Sequence, residues 1–253
     1  MTSVPFHDDC AVVELRQYTL QPGQRDALIE LFDREFVETQ EATGMRVIGQ
    51  FRDQGDADRF VWLRGFAGMP ERARTLAAFY GGPVWQAHRD AANATMIDSD
   101  NVLLLRPAWP GAGLDLRGWV RAPLGSTTGG AARRPGLVVA QIALLHQAAN
   151  DQMVGTFNTT VAPLLRQAGA SIRACYVTEP SPNSFPRLPV REGENVFVWI
   201  SSFDDAHHFE AHLRMLAGTP LWRDEVAPIW NQYQCAPTQV LRLTPTARSL
   251  FHA

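Results

Sequence analysis

The sequence predicts an α+β fold in which one structural unit occurs twice. Residues 60–66 read FVWLRGF, and residues 197–203 repeat the pattern as FVWISSF. The tryptophan of each segment, Trp62 or Trp199, is followed 23 residues later by the tryptophan of a Pro-x-Trp sequence. Matching landmarks in the same order and at the same spacing indicate a duplicated module.

The elements of the first unit follow from the spacing of apolar residues and from turn formers. Residues 12–19 alternate between two faces, as a β-strand requires, and Pro22-Gly23 ends that strand. A helix is expected next, closed by Gly44 at the position where helices favour a left-handed residue. The remaining elements are predicted as strands at 46–51 and 60–66, a helix over 69–93 broken at Gly81-Gly82-Pro83, and a strand at 102–106.

The second unit repeats this order with one addition. Both units read β-α-β-β-α-β, the ferredoxin-like arrangement. The addition is a proline-rich insertion at 178–195, which is either a lid over a site or an embellishment. The predicted organisation is a ferredoxin-like repeat at 11–107, a Gly- and Pro-rich linker at 108–136 and a second ferredoxin-like repeat at 137–245. In the second repeat, strands are predicted at 138–144, 172–176, 197–203 and 240–243, with helices through 153–164 and over 206–233.

Polar and aromatic side chains share one face of the first sheet. That face carries Glu14, Arg16 and Tyr18 on the first strand, and Trp62 and Arg64 on the third. If both helices covered the opposite face, bare aromatic rings here would cost several kcal/mol of lost burial. We therefore expect a second sheet to face the first and close a barrel, either within the chain or across a homodimer.

Composition excludes several classes of partner. The net charge of −3 and the pI near 6.2 argue against nucleic acid and against an anionic membrane. No apolar run is long enough for a membrane span, and residues 1–9 lack the basic start of a secretory signal. Cys10, Cys175 and Cys235 are odd in number and scattered, which is typical of reduced thiols in a cytoplasmic protein.

Three segments resemble one protein family. They are residues 13–23, VELRQYTLQPG, the Trp62 segment with its following PERAR, and residues 82–85, GPVW. They are similar to the NIPSNAP family. The resemblance implies a dimeric α+β barrel, a fold shared with small cofactor-free monooxygenases and several haem-handling proteins, but no agreed activity. The third strand of the family commonly reads His-Leu-Trp-x-Tyr, whereas Phe60 and Arg64 stand at the His and Tyr places here.

The polar and aromatic face of the first repeat is the predicted site, pointing into the barrel. Two arginines beside an aromatic side chain would bind a carboxylate or an enolate that is attached to a planar molecule. When the two repeats are aligned, the positions of Arg16, Tyr18 and Arg64 are occupied in the second repeat by Gln141, Ala143 and Ser201. The second repeat thus lacks the charged groups, and one working pocket is expected, in the first repeat. The predicted catalytic residues are Arg16, Tyr18, Arg64 and His88, and the predicted substrate-binding residues are Glu14, Trp62, Phe66, Tyr80 and Asn93.

The same residues also have interpretations that involve no function. Glu14 could pair with an arginine for structure alone, and His88 at a helix end could be a solvated or capping group. His208 and His212 have a metal-like spacing but fit an exposed polar face better, and no metal is predicted. The glycine-rich loop at 125–130 lacks the lysine that a phosphate site needs, so it is assigned to the linker.

Three functions remain open on the sequence alone. The leading hypothesis is a cofactor-independent oxygenase or isomerase acting on a small aromatic or anionic molecule, with haem left open as a cofactor. The second is a binding protein without turnover that uses the same pocket. The third is a structural or interaction module whose barrel is filled by Trp62, Phe66, Trp199 and Phe203.

Overall fold

The computed structural model describes residues 10–125 and 136–253 of the chain. Two sequence-based interpretations lie outside these residues. The first concerns the N-terminal residues 1–9, interpreted as lacking a secretory signal. The second concerns the glycine-rich loop, of which residues 126–130 are not described.

Each half contains the strands and helices that the pattern predicted, with boundaries extended by one or two residues at most strand ends. The first half contains β1 (Val12–Leu20), α1 (Arg25–Leu31), a π-helical turn (Phe32–Phe36), α2 (Val37–Glu41), β2 (Arg46–Asp53), β3 (Arg59–Phe66), α3 (Met69–Gly81), α4 (Pro83–Ala94), β4 (Met96–Asp98) and β5 (Val102–Pro107). The second half contains β6 (Leu137–Leu145), α5 (Asp151–Thr156), a π-helical turn (Phe157–Val161), α6 (Ala162–Gln167), β7 (Ser171–Thr178), β8 (Asn195–Phe203), α7 (Ala206–Gly218), a π-helical turn (Leu221–Val226), α8 (Ala227–Asn231) and β9 (Gln239–Pro245).

Two predictions based on glycine are confirmed, the end of a helix at Gly44 and the helix break at Gly81-Gly82-Pro83. Gly44 has a φ of +102°, the left-handed conformation that lets the chain leave the helix and enter β2. The long second helix of the first half does break at Gly82, where α3 ends and Pro83 begins α4. The three-residue strand β4, which pairs with the end of β1, was not predicted because its flanks carry no strand pattern.

The strands of the described chain form an eight-stranded closed antiparallel barrel inside a mixed α+β protein. Its order is β3-β2-β9-β6-β8-β7-β5-β1, and pairing of β1 with β3 closes it. β2 pairs with β9 and β5 pairs with β7, so the two halves contribute four strands each. The barrel thus closes within one chain, and no second subunit is needed to cover either sheet.

The barrel interior is filled with apolar side chains. Alternate residues of every barrel strand point inward, such as Val13 and Leu15 on β1. Two segments outside the strands also contribute, because Leu116 of the linker and Phe251 near the C-terminus are almost fully buried in the same cluster. A filled interior of this kind is a hydrophobic core.

The outer face of each four-stranded sheet is covered by the helices of its own half. In the first half Phe32, Phe36 and Phe79 from the helical layer pack on Phe60 and Trp62 of β3. In the second half Phe157 and Trp230 pack on Trp199 in the same way. The protein therefore has three apolar clusters: one inside the barrel and one between each sheet and the helices of its own half.

The predicted direction of the polar face is wrong. Glu14, Arg16 and Arg64 point away from the barrel interior and lie beneath the helices of the first half, in contact with Arg72 of α3. Both faces of β1 are buried, so alternation shows which residues share a face but not which layer covers that face. For the same reason Trp62, Phe66, Trp199 and Phe203 do not fill the barrel; they pack under the helices.

The described part of the linker is packed against the barrel. Leu114 and Leu116 lie in the barrel core, and the Leu114 backbone N–H donates to the Tyr176 hydroxyl at 3.0 Å. Arg121 donates to the Glu41 carboxylate and to the backbone oxygen of Arg248. The division of the chain at residues 107 and 137 stays a prediction. In the described ranges, no helix combines the length and the apolar character that crossing a membrane requires.

Candidate functional site

A buried carboxylate with three arginines lies between the first sheet and its helices. Glu14 Oε2 accepts from Arg16 Nη1 at 2.6 Å and from Arg64 Nε at 2.7 Å, while Glu14 Oε1 accepts from Arg72 Nε at 2.7 Å. β1 supplies Glu14 and Arg16, β3 supplies Arg64 directly opposite Glu14, and α3 lays Arg72 across them. We call these four residues the arginine cluster.

The arginine cluster carries more positive charge than its carboxylate can balance. Glu14, Arg64 and Arg72 have no exposed surface and Arg16 is 1% exposed. Arginine stays protonated in proteins, so one carboxylate against three guanidinium groups leaves a surplus of two positive charges. Burial of unbalanced charge is costly in free energy, and a structural ion pair would not require such a surplus.

Aromatic rings lie against two guanidinium groups of the arginine cluster. The ring of Trp62 lies 5.6 Å from the Arg16 guanidinium carbon and 5.0 Å from that of Arg64. Arg64 also lies 5.7 Å from the Phe66 ring and 5.9 Å from the Tyr80 ring. Cation–π contacts of this kind hold the guanidinium planes in fixed orientations.

Two guanidinium nitrogens of the arginine cluster have hydrogen-bonding capacity left. Within residues 10–125 and 136–253, no side chain or backbone group accepts from Arg64 Nη2 or Arg72 Nη2, although both atoms are buried. The Trp62 indole N–H, next to Arg64, is likewise unpartnered among the described residues. Buried donors without acceptors are rare, and they indicate a place where an acceptor from a ligand would be stabilised.

Electrostatics fix the protonation states in the cluster. Burial alone would raise the pKa of Glu14, but the adjacent guanidinium groups, that of Arg64 foremost, hold that pKa well below its usual range. Glu14 is therefore ionised and a weak base. Burial raises the pKa of Tyr18, so its phenol keeps its proton while its oxygen accepts from Arg16 Nε at 2.9 Å.

The proline-rich insertion of the second half contacts Arg72 of the arginine cluster and the neighbouring Tyr80. Arg72 Nη1 donates to Asn183 Oδ1 at 2.9 Å and to Ser184 Oγ at 3.1 Å. The Phe185 ring stacks on the Tyr80 ring, with centroids 6.0 Å apart and an interplanar angle of 25°. Of the two interpretations left open by the sequence, this placement favours a lid.

Most of the predicted site residues meet in this one place, but two do not. His88 on α4 contacts Glu35, with 3.4 Å from Nε2 to Oε2, and the Phe36 ring, so its partners lie outside the cluster. Asn93 is exposed on the same helix. The residues that come together are Glu14, Arg16, Tyr18, Trp62, Arg64, Phe66 and Tyr80.

Sequence reasoning missed Arg72, a member of the cluster, and Gln40, which contacts it. Gln40 Oε1 accepts from Arg64 Nη1 at 3.2 Å. A usable signal existed for Arg72, because it occupies the same helical stripe as the buried Leu76, Phe79 and Tyr80. A charged residue at a core position of an amphipathic helix is expected to meet a buried partner. No local signal pointed to Asn183 and Ser184.

The second half replaces the charged groups at the equivalent positions. Val139 and Ser201 form the strand pair that corresponds to Glu14 and Arg64, and Phe209 on α7 stands where Arg72 stands on α3. Aromatic packing of Phe157, Trp199 and Trp230 fills the layer instead. The loss of charge noted in the sequence is therefore a loss of the whole ion cluster.

The histidine pair of the second half has separate partners. His208 Nδ1 lies 2.8 Å from Asp205, the residue that caps α7, whereas His212 is buried with Nδ1 3.1 Å from the backbone oxygen of Ala168. Burial lowers the pKa of His212, which favours the neutral ring. Across the two described ranges, no cluster of three or more His, Cys, Asp or Glu side chains is arranged to hold a metal ion.

Two surface clefts of about 490 Å³ each lie away from the arginine cluster. One is bordered by Asp33, Arg52 and Arg248, and burial raises the pKa of Asp33 to about 6 against the lowering effect of Arg248. The other lies between the proline-rich insertion and β5 and β7. No residue of the arginine cluster lines either cleft.

Solved structures similar to this chain share its whole fold. An anthrone oxidase-like protein aligns over 94% of each chain, with 13% identity and a TM-score of 0.57. A provisionally assigned monooxygenase from Lactobacillus acidophilus NCFM aligns over 95% of this chain and 97% of its own, with 12% identity and a TM-score of 0.51. At such identities the likeness shows the architecture only.

The first half also has relatives of its own. A NIPSNAP-like domain protein from Burkholderia xenovorans is 30% identical, over 38% of this chain and 84% of that protein, with a TM-score of 0.35. None of the curated proteins matches the chain. The family model for NIPSNAP matches residues 13–109, which include β1 from its second residue onward, α3 and the whole arginine cluster. Residues 13–109 of this chain therefore belong to the NIPSNAP family, as the sequence motifs indicated.

Proposed function

We propose that the first half of the chain binds a small aromatic anion at the arginine cluster. One observation carries the proposal: three fully buried arginines face a single carboxylate, Glu14. An anionic ligand would balance the surplus charge and would accept from the unpartnered nitrogens Arg64 Nη2 and Arg72 Nη2. The aromatic frame supplied by Trp62 and Tyr80 suits a planar ligand body.

Each residue has a distinct part in this proposal. Arg64 and Arg72 pair with the anionic group, and Trp62 provides an apolar wall. Tyr18 donates its remaining hydroxyl proton to a ligand oxygen, because its own oxygen already accepts from Arg16. Glu14 holds the three guanidinium groups together and oriented, and it does not act as the base because its pKa is so low.

A second candidate function is cofactor-independent oxygenation, and the charge surplus favours it. Two excess positive charges in a buried site lower the pKa of a bound enol or phenol, so the substrate loses its proton to water without a dedicated side-chain base. The resulting carbanion-like species is electron-rich enough to react with dioxygen. The solved anthrone oxidase-like protein of similar fold suggests anthrone as a trial substrate, which with O₂ would give anthraquinone and water.

The alternatives make different demands on the same residues. A binding protein without turnover would use the arginine cluster and release the ligand unchanged. A structural or interaction module would need the cluster for stability alone, and replacing Arg64 by leucine would then leave stability unchanged or raise it.

We also propose the broader organisation on which this function rests. The two halves are ferredoxin-like modules that arose by duplication, since each orders its strands as 4-1-3-2 along the sheet. The chain acts in the cytoplasm without a nucleic-acid or membrane partner, in keeping with its net charge of −3. The homodimer and the absence of a cofactor stay predictions, and haem remains the cofactor to test by absorption.

Binding can be tested with a charge-matched pair of probes. Titration calorimetry should show that 2-naphthoate binds and that the neutral isostere 2-naphthamide binds at least tenfold more weakly, because only the former balances the cluster. The substitution Arg64→Met should remove this preference, whereas Arg223→Met, at an arginine side chain 58% exposed in the second half, should not change it. Equal binding of both probes, or no binding of either, would refute the proposal.

Turnover needs its own measurement. Purified protein, anthrone and air-saturated buffer should consume oxygen and form anthraquinone faster than buffer alone, and Arg64→Met should abolish the difference. If naphthoate binds but no oxygen is consumed, the oxygenase candidate is wrong and the binding function stands.

A further inference from the structure

The insertion places two groups of its own against Arg72 of the arginine cluster and a third against the neighbouring Tyr80. Asn183 Oδ1 and Ser184 Oγ both accept from Arg72 Nη1, at 2.9 and 3.1 Å. The adjacent Phe185 ring lies nearly parallel to the Tyr80 ring. Two oxygens on a guanidinium and a planar ring on an aromatic wall thus come from three consecutive residues.

These contacts reproduce the chemistry of an aromatic carboxylate. A carboxylate presents two oxygens to one guanidinium, and a ring attached to it would extend over the neighbouring aromatic side chain. Neutral amide and hydroxyl oxygens satisfy Arg72 less well than an anion would, because charge-assisted hydrogen bonds are about twice as strong. The surplus charge of the cluster is also left unbalanced by these neutral groups.

The segment is held in a way that permits exchange with a ligand. Asn183, Ser184 and Phe185 are each only partly buried, and Pro186 and Arg187 beside them are exposed. The segment keeps its shape through local bonds, including Phe185 N–H to Asn183 Oδ1 and Leu188 N–H to the Phe185 backbone oxygen. It therefore occupies the cluster from outside rather than forming part of the sheet or the helices.

We infer that residues 183–185 are a built-in substitute for the ligand, and that an aromatic carboxylate displaces them from Arg72 and Tyr80. The inference rests on the proposed anion-binding function and adds the ligand class, a carboxylate attached directly to a planar ring. In this inference the insertion, which belongs to the second half, is an inhibitory lid over a site in the first half. The lid competes with the ligand, so the observed affinity is the intrinsic affinity reduced by the fraction of open lid.

The competition can be measured with 2-naphthoate as the probe. The double substitution Asn183→Ala with Phe185→Ala removes two of the three substitute groups, leaving only the Ser184 hydroxyl on Arg72, and should tighten 2-naphthoate binding about tenfold or more. Pro186→Ala, in the same segment but exposed, should leave the affinity unchanged. Arg72→Met should weaken binding in both the wild-type and the double-variant backgrounds. Equal or weaker binding by the double variant than by the wild type would overturn the inference.

Hydrogen–deuterium exchange on the wild-type protein provides a test that does not depend on a variant folding. Saturating 2-naphthoate should accelerate exchange of the Phe185 and Leu188 amides, because a segment released from Arg72 and Tyr80 loses the contacts that keep its local hydrogen bonds closed. Binding with unchanged or slower exchange there would refute the lid while leaving the anion site intact. Absence of naphthoate binding in every form would instead refute the proposed function and the inference together.

Discussion

Glu14 of β1 and Arg64 of β3 lie directly opposite each other in the sheet, and the carboxylate Oε2 accepts from the guanidinium Nε at 2.7 Å. Neither side chain has exposed surface. Their cross-strand position brings the two side chains together. The same oxygen also accepts a hydrogen bond from Arg16 Nη1, two residues along β1. One glutamate is thus the common acceptor that keeps mutually repelling cations together under the helices.

Replacing this acceptor should be strongly destabilising. Glu14→Gln leaves three buried guanidinium groups without a counter-charge, and breaking a buried ion pair by removing one partner typically costs about 3–5 kcal/mol. We expect a loss of that size in the free energy of unfolding, measured by urea denaturation. The variant should recover part of the loss at high salt or with a bound anion, because either supplies the missing negative charge.

A matched control separates this effect from the general cost of a Glu-to-Gln change. Glu30→Gln alters a side chain that is 79% exposed, and it should change stability by less than about 0.5 kcal/mol. A loss for Glu14→Gln as small as that of the control would mean that the guanidinium groups are not charged and buried together in solution.

The sequence predicted the elements and their order because their signals are local. Alternation along β1, the glycine at position 44 and the break at Gly82-Pro83 each act within a few residues, and each was confirmed. The sets of residues that share a strand face were also correct, so Glu14, Arg16 and Arg64 were rightly grouped.

What failed depends on contacts that no local pattern encodes. Both faces of β1 are buried, so its alternation is symmetrical and could not assign the polar face to the helical layer. The contact of Arg72 with Asn183 spans 111 residues and joins a helix of one half to a loop of the other. Such a pairing follows from the closure of the barrel and becomes visible only once the two halves are docked.

The linker should contribute to stability like any part of the core. Leu116 is 2% exposed and packs among the inward-facing barrel residues. Leu116→Ala should lower the free energy of unfolding by about 2–5 kcal/mol through lost burial and a residual cavity. Val120→Ala, four residues along and 82% exposed, is the control and should have almost no effect. Equal small effects of the two substitutions in a thermal melt would show that the linker is not part of the barrel core.

Asp33 should make stability fall as the pH rises through mildly acidic values. Burial raises its pKa to about 6 in the folded protein, against an ordinary value near 3.8. Between these values the folded protein holds a proton that the unfolded chain has released, so raising the pH favours unfolding there. Wild-type stability relative to Asp33→Asn should therefore decline by about 2 kcal/mol from pH 4 to pH 7, measured by urea denaturation. A relative stability that rises over this range would contradict the raised pKa.

The cysteines should differ sharply in reactivity. Burial raises the pKa of the Cys175 thiol to about 12, whereas Cys235 is exposed. At pH 8 only about one Cys175 thiol in ten thousand would be ionised, and the thiolate is the species that attacks a disulfide reagent. We expect Cys235→Ser to remove the fastest phase of reaction with Ellman's reagent and Cys175→Ser to leave the native time course unchanged. Denaturant should then reveal one thiol fewer in the Cys175→Ser variant. Fast native labelling that disappears with Cys175→Ser would mean that the layer between β7 and its helices opens far more readily than its packing implies.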